Sequence, residues 1–412
     1  MSPLDVTFAV LGLPVLACAT YLFVLSLFAS KRKSGASASS GGTTKFAIVV
    51  PSHNEEVGIA STVESLLALD YDAALRRIVV VADNCTDATA ERAEKAGANV
   101  LVRHNADKRG KGYALEYAFE RILEEGWADA VVVIDADTVV SKSLLAAFAR
   151  RFEQGAHAVQ ADYAVRNVES SWRTRLMVIA LSLFHVLRSL GRERLGLSTG
   201  LRGNGMAFSR EVLRVVPHDA FSVVEDLEYG IKLGRKGYRV HYADDAHVYG
   251  EMVAGEKASR SQRRRWEQGR MAMLKTYGPK LLWASIVERS ALLFDLAMDV
   301  IVPPLTTLVL AVAIGASGTF LWWRVLGHAP IAFAPWGLAA CFVGFYVLRG
   351  WMLSGVGFRG LLDLMWAPIY IVWKVGLSLR RPAHKKDEWV RTARVAEGAT
   401  PATRTGKEEP RD

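Results

Sequence analysis

From Val6 to Ala29 the chain carries no charged residue, and Lys31, Arg32 and Lys33 follow at once. A run of roughly 24 such residues is long enough to cross a bilayer. Lipid satisfies no backbone polar group, so a stretch of this kind folds as a helix. The basic cluster predicts that its C-terminal end is cytoplasmic. A cleaved secretory signal is the competing reading, because Ala17-Cys18-Ala19 offers small residues. However, Met1 to Asp5 lacks the positive stretch with which such signals begin, and the apolar run continues past the small residues. An uncleaved membrane anchor over residues 1–30 is the expectation.

A second apolar region runs from about Ala291 to Leu379. Ile301–Phe320 and Ile331–Leu348 each suit a span, and Trp322, Trp323 and Trp336 mark an interface between them. Arg349, Arg359, Arg380, Arg381, Lys385 and Lys386 then put the following segments on the cytoplasmic side. Leu361–Leu379 contains Asp363, Pro368 and Lys374, and reads as interfacial or re-entrant. The chain therefore divides into an anchor (1–30), a linker (31–44), a cytoplasmic domain (45–280), a membrane region of two spans (281–380) and a polar tail (381–412). Ser34–Gly42, SGASASSGG, has the composition of a flexible linker. The residues after Arg394 have that of a disordered segment. Localisation follows as a multi-pass protein of the inner (plasma) membrane.

The net charge of +9 raises nucleic-acid binding as a function. No recognition motif or basic-aromatic groove accompanies it, so the excess is assigned to anionic lipid and phosphate-bearing substrates. Cys18, Cys85 and Cys341 are too scattered for a zinc set or a disulfide framework.

Between the apolar regions the pattern alternates. Strands are expected at Phe46–Val50, Ile78–Ala82, Val100–Val102 and Ala130–Ile134. Helices are expected near Gly58–Leu69, Ala88–Ala96 and Gly112–Glu124. Strands alternating with helices imply an α/β fold with a mostly parallel sheet and helices on both faces. No Walker loop and no GxGxxG follows the first strand, which argues against an ordinary nucleotide hydrolase or dehydrogenase.

The strand ends carry the chemistry, where an open α/β sheet binds ligands. Val131–Val140, VVVIDADTVV, delivers Asp135 and Asp137 to one such end. Two carboxylates there suit a divalent cation shared with a diphosphate. Alternatively, Asp137 or Thr138 caps a helix that begins near Ser141. Asp83 closes the second strand and can accept from a nucleobase N–H or a ribose hydroxyl. An Asx turn is the other reading, with Asp87 capping the next helix. Lys108, Arg109 and Lys111 precede a helix and suit an anion, or form a solvated basic loop.

Further on, Glu225 and Asp226 begin a helix. They complement its dipole, or supply a general base for a hydroxyl. Gly203, Asn204 and Gly205 lie in STGLRGNGMAF (Ser198–Phe208), which lets backbone approach a ligand or makes an ordinary turn. Gln262, Arg265 and Trp266 share one helical face. Guanidinium groups there neutralise a leaving diphosphate and indole stacks on a sugar, unless the face is simply solvated. Trp172–Arg194 carries a leucine stripe with arginines around it. That suits a helix on the membrane surface near residues 172–192, or core packing.

The order Asp83, Asp135-x-Asp137, Glu225-Asp226, Gln262-x-x-Arg265-Trp266, set between membrane segments, resembles glycosyltransferase family two. It is most similar to the processive, membrane-bound branch of cellulose, chitin, hyaluronan and poly-N-acetylglucosamine synthases. The resemblance covers about Lys45 to Thr276. It implies a GT-A fold, a UDP-sugar donor, Mg²⁺ or Mn²⁺, and inversion at the anomeric carbon. By position, Pro51, Glu55, Asp83 and Lys111 would bind nucleotide, with Asp83 on the uracil. Asp137 would bind the metal, and Asp135 would face the donor. Asp226, beside Glu225, would be the general base. Gln262 and Arg265 would hold the diphosphate. Trp266 and Gly203-Asn204-Gly205 would meet the acceptor. His247 is either an extra metal ligand or a structural histidine. The acceptor loop, GNGMAF, departs from the cellulose-synthase version, and the predicted membrane part is small. Two variants follow: β-linked exopolysaccharide synthesis with export-complex subunits as partners, or single-sugar transfer to a lipid-linked acceptor. A catalytically idle export scaffold is the reading from another class.

Overall fold

The computed structural model describes residues 3–31, 42–165, 172–250, 256–326 and 330–371. Eight strands form one sheet in the order β3-β2-β1-β4-β7-β6-β8-β5. They are β1 (Phe46–Ser52), β2 (Arg76–Asp83), β3 (Asn99–Arg103), β4 (Ala130–Val133), β5 (Thr138–Val140), β6 (Ala158–Val165), β7 (Met206–Ser209) and β8 (Val240–Gly250). The first four pair in parallel, and β6 also runs parallel to β8. The β4–β7, β6–β7 and β5–β8 junctions are antiparallel. The sheet is therefore mixed, with its parallel part in the half expected to be parallel.

Both faces of that half are covered, which explains the continuous apolar runs. In β1, Phe46, Ile48 and Val50 pack into one cluster with Ile59, Val63 and Phe148 from two helices. The alternate residues Ala47 and Val49 pack with Leu115, Phe119 and Tyr229 on the other side, as a two-residue period requires. Polar groups are left with the strand ends. The order reverses at β1, which neighbours β2 and β4. β1 pairs with β2 through Ser52 but with β4 only through Val49. The sheet thus opens beside Pro51, at a topological switch point.

Among the described residues, four helices are long and apolar enough to cross a membrane: Pro3–Phe28, Thr174–Arg194, Leu305–Val325 and Ile331–Ser354. The expected span at Ile301 begins instead at Leu305. Pro303 and Pro304 separate it from helix Ala291–Ile301, since a residue before proline avoids helical backbone. The Trp172–Arg194 segment is packed, as its leucine stripe allowed. Ile179, Leu183, Leu187 and Leu190 join Leu22, Leu25 and Tyr346 in one apolar cluster. Of the stretch expected to be interfacial, residues up to 371 are described, and they begin with a short helix, Gly357–Asp363. The rest, the tail and most of the linker lie outside the described residues.

A buried polar seam ties this apolar bundle to the sheet domain. Arg192, fully buried, donates to Asp295 Oδ1 at 3.1 Å, to Asp299 Oδ1 at 2.8 Å and to Tyr21 Oη at 2.8 Å. Close backbone approach accompanies it. A Cβ on Gly191 would lie 2.4 Å from the Leu25 carbonyl oxygen. Gly191→Ala should therefore wedge the two helices apart and cost about 1–3 kcal/mol, as overpacking does. Thermal unfolding of the purified chain in detergent checks this; an unchanged midpoint would contradict the packing described.

Candidate active site

The crevice begins at the end of β2. Asp83 is fully buried, and its Oδ1 accepts from Arg103 at 2.5 Å and from Asn84 Nδ2 at 3.1 Å. Its Oδ2 is buried with no hydrogen-bond partner among the described residues. A buried acceptor left unmet costs about 1–3 kcal/mol, more when charged. That oxygen is a ready acceptor for a ligand N–H. Arg103, at the end of β3, went unremarked in the sequence, although a cation closing a strand beside β2 is the available signal. Asn54 and Asn84 turn the chain at the ends of β1 and β2 with φ of 57° and 51°, a region asparagine tolerates better than most residues. Asp87 accepts from the Thr89 N–H two residues on, while the cap position of the next helix is Ala88 and not Asp87 as expected. Pro51 is buried in β1 opposite Val81. The Glu55 backbone holds the β1 turn against Thr89 at 2.8 Å.

The Asp135–Asp137 segment is a turn and not a helix cap. The following helix starts at Leu144, and Thr138–Val140 is strand β5. This overturns the capping alternative for Asp137 and Thr138. Asn204 fastens the turn: its Oδ1 accepts from the Asp135 N–H at 3.1 Å and its Nδ2 donates to Thr138 Oγ1 at 2.7 Å. The Asn204 side chain is thus engaged in holding this turn, and it is 2% exposed.

Lys111 lies at the centre. Its Nζ donates to Asp135 Oδ1 at 2.5 Å and to the Gly203 carbonyl, and lies 3.8 Å from Glu225 Oε1. Gly203 adopts φ of +78°, and a Cβ there would stand 3.3 Å from Asp226 Oδ2 and 3.7 Å from Lys111 Nζ. Only glycine leaves that space clear. Gly205, at φ of +69°, sits against Val248 and Ala161 with equally little room. Asp135, Gly203 and the adjacent Glu225 and Asp226 thus converge on one lysine from three separate stretches of sequence.

The electrostatics follow from this crowding. Burial pushes Glu225 up to about 8 against the pull of Lys111. Burial raises Asp226 as well, opposed by the Leu227 N–H and by Lys111. Asp135 is raised by burial and restrained by Lys111. Burial alone would lower Lys111, but Asp135 and Glu225 outweigh it and hold the ammonium form. Burial thus raises both adjacent carboxylates, and Lys111 draws both back toward the charged form.

His247, on β8, bonds Asp162 Oδ2 at 3.0 Å, which raises its pKa. Gln262, Arg265 and Trp266 fall on helix Glu256–Val287, as expected, but their side chains lie outside the described ones. Among the described residues, no group of three or more His, Cys, Asp or Glu side chains forms a metal cage. An all-oxygen pair at a strand end fits Mg²⁺ or Mn²⁺, which complete their shells with phosphate and water.

Residues 44–269 match the family described as glycosyltransferase like family 2, more than half of the chain. The chain belongs to that family. It is 28% identical over 229 residues to a beta-monoglucosyldiacylglycerol synthase from Synechocystis sp., covering 54% of this chain and 47% of that one. It is 26% identical over 224 residues to a poly-beta-1,6-N-acetyl-D-glucosamine synthase of Staphylococcus aureus, covering 53% and 52%. The chain thus spans about half the length of these relatives. The mannosyltransferase PcManGT from Pyrobaculum calidifontis, solved with GDP-Man and Mn²⁺, matches at TM-score 0.52 and 16% identity, over 86% of this chain and 99% of its own. That likeness shows a shared GT-A-type fold. The chain is thereby placed among the glycosyltransferases.

If Asp226 accepts a proton in turnover it must be ionised, and activity should fall as pH drops through a value above the ordinary aspartate range. Removing a cation that favours its charge moves that limb upward. In Lys111→Met the acid limb of kcat should therefore shift to higher pH. A pH–rate profile of UDP release measures it, and an unmoved limb would separate Lys111 from Asp226.

Proposed function

We propose that the chain is an inverting, metal-dependent glycosyltransferase that moves a sugar from a UDP-sugar to a glycan at the inner face of the plasma membrane. Synthesis of a β-linked exopolysaccharide is the activity that the motif order favours. The observation that carries the reading is the convergence of Asp135, Glu225 and Asp226 on Lys111, beside Gly203 and the Asp137 turn. It sets a metal-type carboxylate turn next to a carboxylate that can serve as base, the division that glycosyl transfer needs.

In this reading Asp83 Oδ2 accepts from the uracil N–H, and Pro51 and Glu55 border the nucleotide. Asp135, held by Lys111, faces the donor ribose or sugar. Asp137 would hold Mg²⁺ or Mn²⁺, which supplies charge neutralisation to the leaving diphosphate when bound. Gln262 and Arg265 share that task, and Trp266 stacks on the acceptor. Asp226 takes the proton from the acceptor hydroxyl. The hydroxyl oxygen forms a bond to the anomeric carbon from the side opposite the diphosphate. The bond to the diphosphate breaks with its electron pair, and the centre inverts. Lys111 offsets the negative charge that Asp135 and Glu225 bring near Asp226.

A second reading, transfer of a single sugar to a lipid-linked acceptor, is favoured by the packing of the site against apolar helices. A relative named for a diacylglycerol product also supports it. The purified chain with Mg²⁺ or Mn²⁺ should release UDP from one member of a UDP-sugar panel. Product length then separates long polymer from one added sugar. Asp226→Asn should lower turnover by about 10²–10⁴-fold, the usual share of a general base, with UDP affinity kept within about twofold. Loss of UDP affinity in that variant would contradict its assignment as base.

A further inference from the structure

The end of β6 carries a hydroxyl that no step of the transfer uses. Tyr163 stands two residues after Ala161, and its ladder partner on β8 is Val248. Ala161 and Val248 are also the residues on which Gly205 rests: a Cβ there would lie 3.0 and 2.9 Å from them. Tyr163 therefore shares the face of β6 on which the loop Gly203–Gly205 is seated, as a two-residue period requires. Its ring tilts against His185 of the Trp172–Arg194 segment, with centroids 5.4 Å apart.

Gly250 places the far end of that ring. A Cβ on Gly250 would lie 2.1 Å from Tyr163 Oη and 2.8 Å from Cζ, so the hydroxyl fills a notch that only glycine leaves open. Gly250 pairs with Thr138 in the β5–β8 ladder. Thr138 directly follows Asp137, and its Oγ1 receives the Asn204 amide that also fixes Asp135. The hydroxyl thus stands one ladder step from the carboxylate turn. Burial, and then the charges of Asp135 and Asp137, hold the phenol above the ordinary tyrosine range, so it stays a neutral O–H. Among the described residues that O–H has no hydrogen-bond partner.

A tyrosine hydroxyl taken from water usually finds a partner, so this one is left for a ligand. Two parts of a nucleotide sugar come near the carboxylate turn, the diphosphate and the sugar. Beside Asp135 and Asp137 an anion needs cations, and a phenol supplies none. A sugar hydroxyl is neutral, and it both donates and accepts. Lys111 takes Asp135 Oδ1, which leaves the second carboxylate oxygen to accept. An acceptor at Asp135 and a donor at Tyr163 are the two halves that one sugar hydroxyl needs.

We propose that Tyr163 is a specificity-determining residue, whose hydroxyl, in the notch left by Gly250, donates to one hydroxyl of the transferred sugar while Asp135 accepts from the same group. The proposal rests on the glycosyltransferase reading and adds to it the side chain that reads the sugar. A site built to hydrogen-bond a substrate hydroxyl rejects an analogue lacking it far more strongly than an apolar pocket rejects a missing methylene. Donors that differ at that one hydroxyl are therefore separated at Tyr163 and not at the nucleotide.

The test uses the full chain in nanodiscs with Mn²⁺, and compares UDP with UDP-glucose, UDP-galactose, UDP-N-acetylglucosamine and UDP-glucuronate. For the donor turned over best, Tyr163→Phe should lower kcat/KM at least tenfold, with UDP affinity kept within twofold. Among the monodeoxy forms of that donor, one should be transferred equally by both chains while the others keep the tenfold gap. A merely structural role would single out no position. Tyr249→Phe, on the opposite face of β8 from Gly250, should match the parent chain. An unchanged kcat/KM in Tyr163→Phe would overturn the proposal, and so would lost UDP affinity. A gap of equal size for every deoxy form, or an equal loss in Tyr249→Phe, would overturn it too. The same panel measured by binding needs no turnover. Weakening of one UDP-sugar by Tyr163→Phe with UDP unaffected, and no UDP release from any donor, would sustain the role of Tyr163 and sink the transferase reading instead.

Discussion

Lys111 is the interaction on which the crevice depends. Three acidic side chains and a glycine carbonyl point into one partly buried space, and unscreened carboxylates at that distance would repel strongly. One ammonium group, bonded to Asp135 and to Gly203 and within reach of Glu225, makes the arrangement tolerable. Burial still raises both adjacent carboxylates at the helix start, Glu225 to about 8, so neither behaves as an ordinary surface acid. Lys111 also begins a helix whose next residue, Gly112, sits so close to the Ala220 carbonyl that a Cβ would lie 2.2 Å from it. The loop leading to Glu225 is thereby held against the same helix.

Much of the sheet was legible because both faces of β1, β2 and β4 are buried. Such strands read as apolar runs, and their only permitted polar residues sit at the ends, which is where Asp83, Asp135 and Asp137 were found. Strands β6, β7 and β8 were not anticipated. β7 has four residues and follows three glycines, and β8, VHYADDAHVYG, mixes charged with apolar positions. Their pairing partners are distant in sequence, so local pattern says little about them. The same holds for Asn204. Its glycine neighbours suggested a loop open to ligand, whereas its amide bonds groups 69 and 66 positions away. Asp83 was legible as a strand-end acid; its pairing with Arg103, 20 positions on, needed the parallel β2–β3 register.

The leucine stripe of Trp172–Arg194 shows why charge pattern alone misleads. Arginines around an apolar stripe read as a helix on lipid, with cations reaching toward head groups. In the fold, Arg188 and Arg192 point inward between two apolar helices and helix Ala291–Ile301. Removing a buried partner from such a pair commonly costs about 3–5 kcal/mol, while replacing the whole pair by apolar residues can be neutral. The arginines at the boundary of the apolar bundle stay charged because Asp295 and Asp299 are buried with them, so helix Ala291–Ile301 and the Trp172–Arg194 segment hold each other in place.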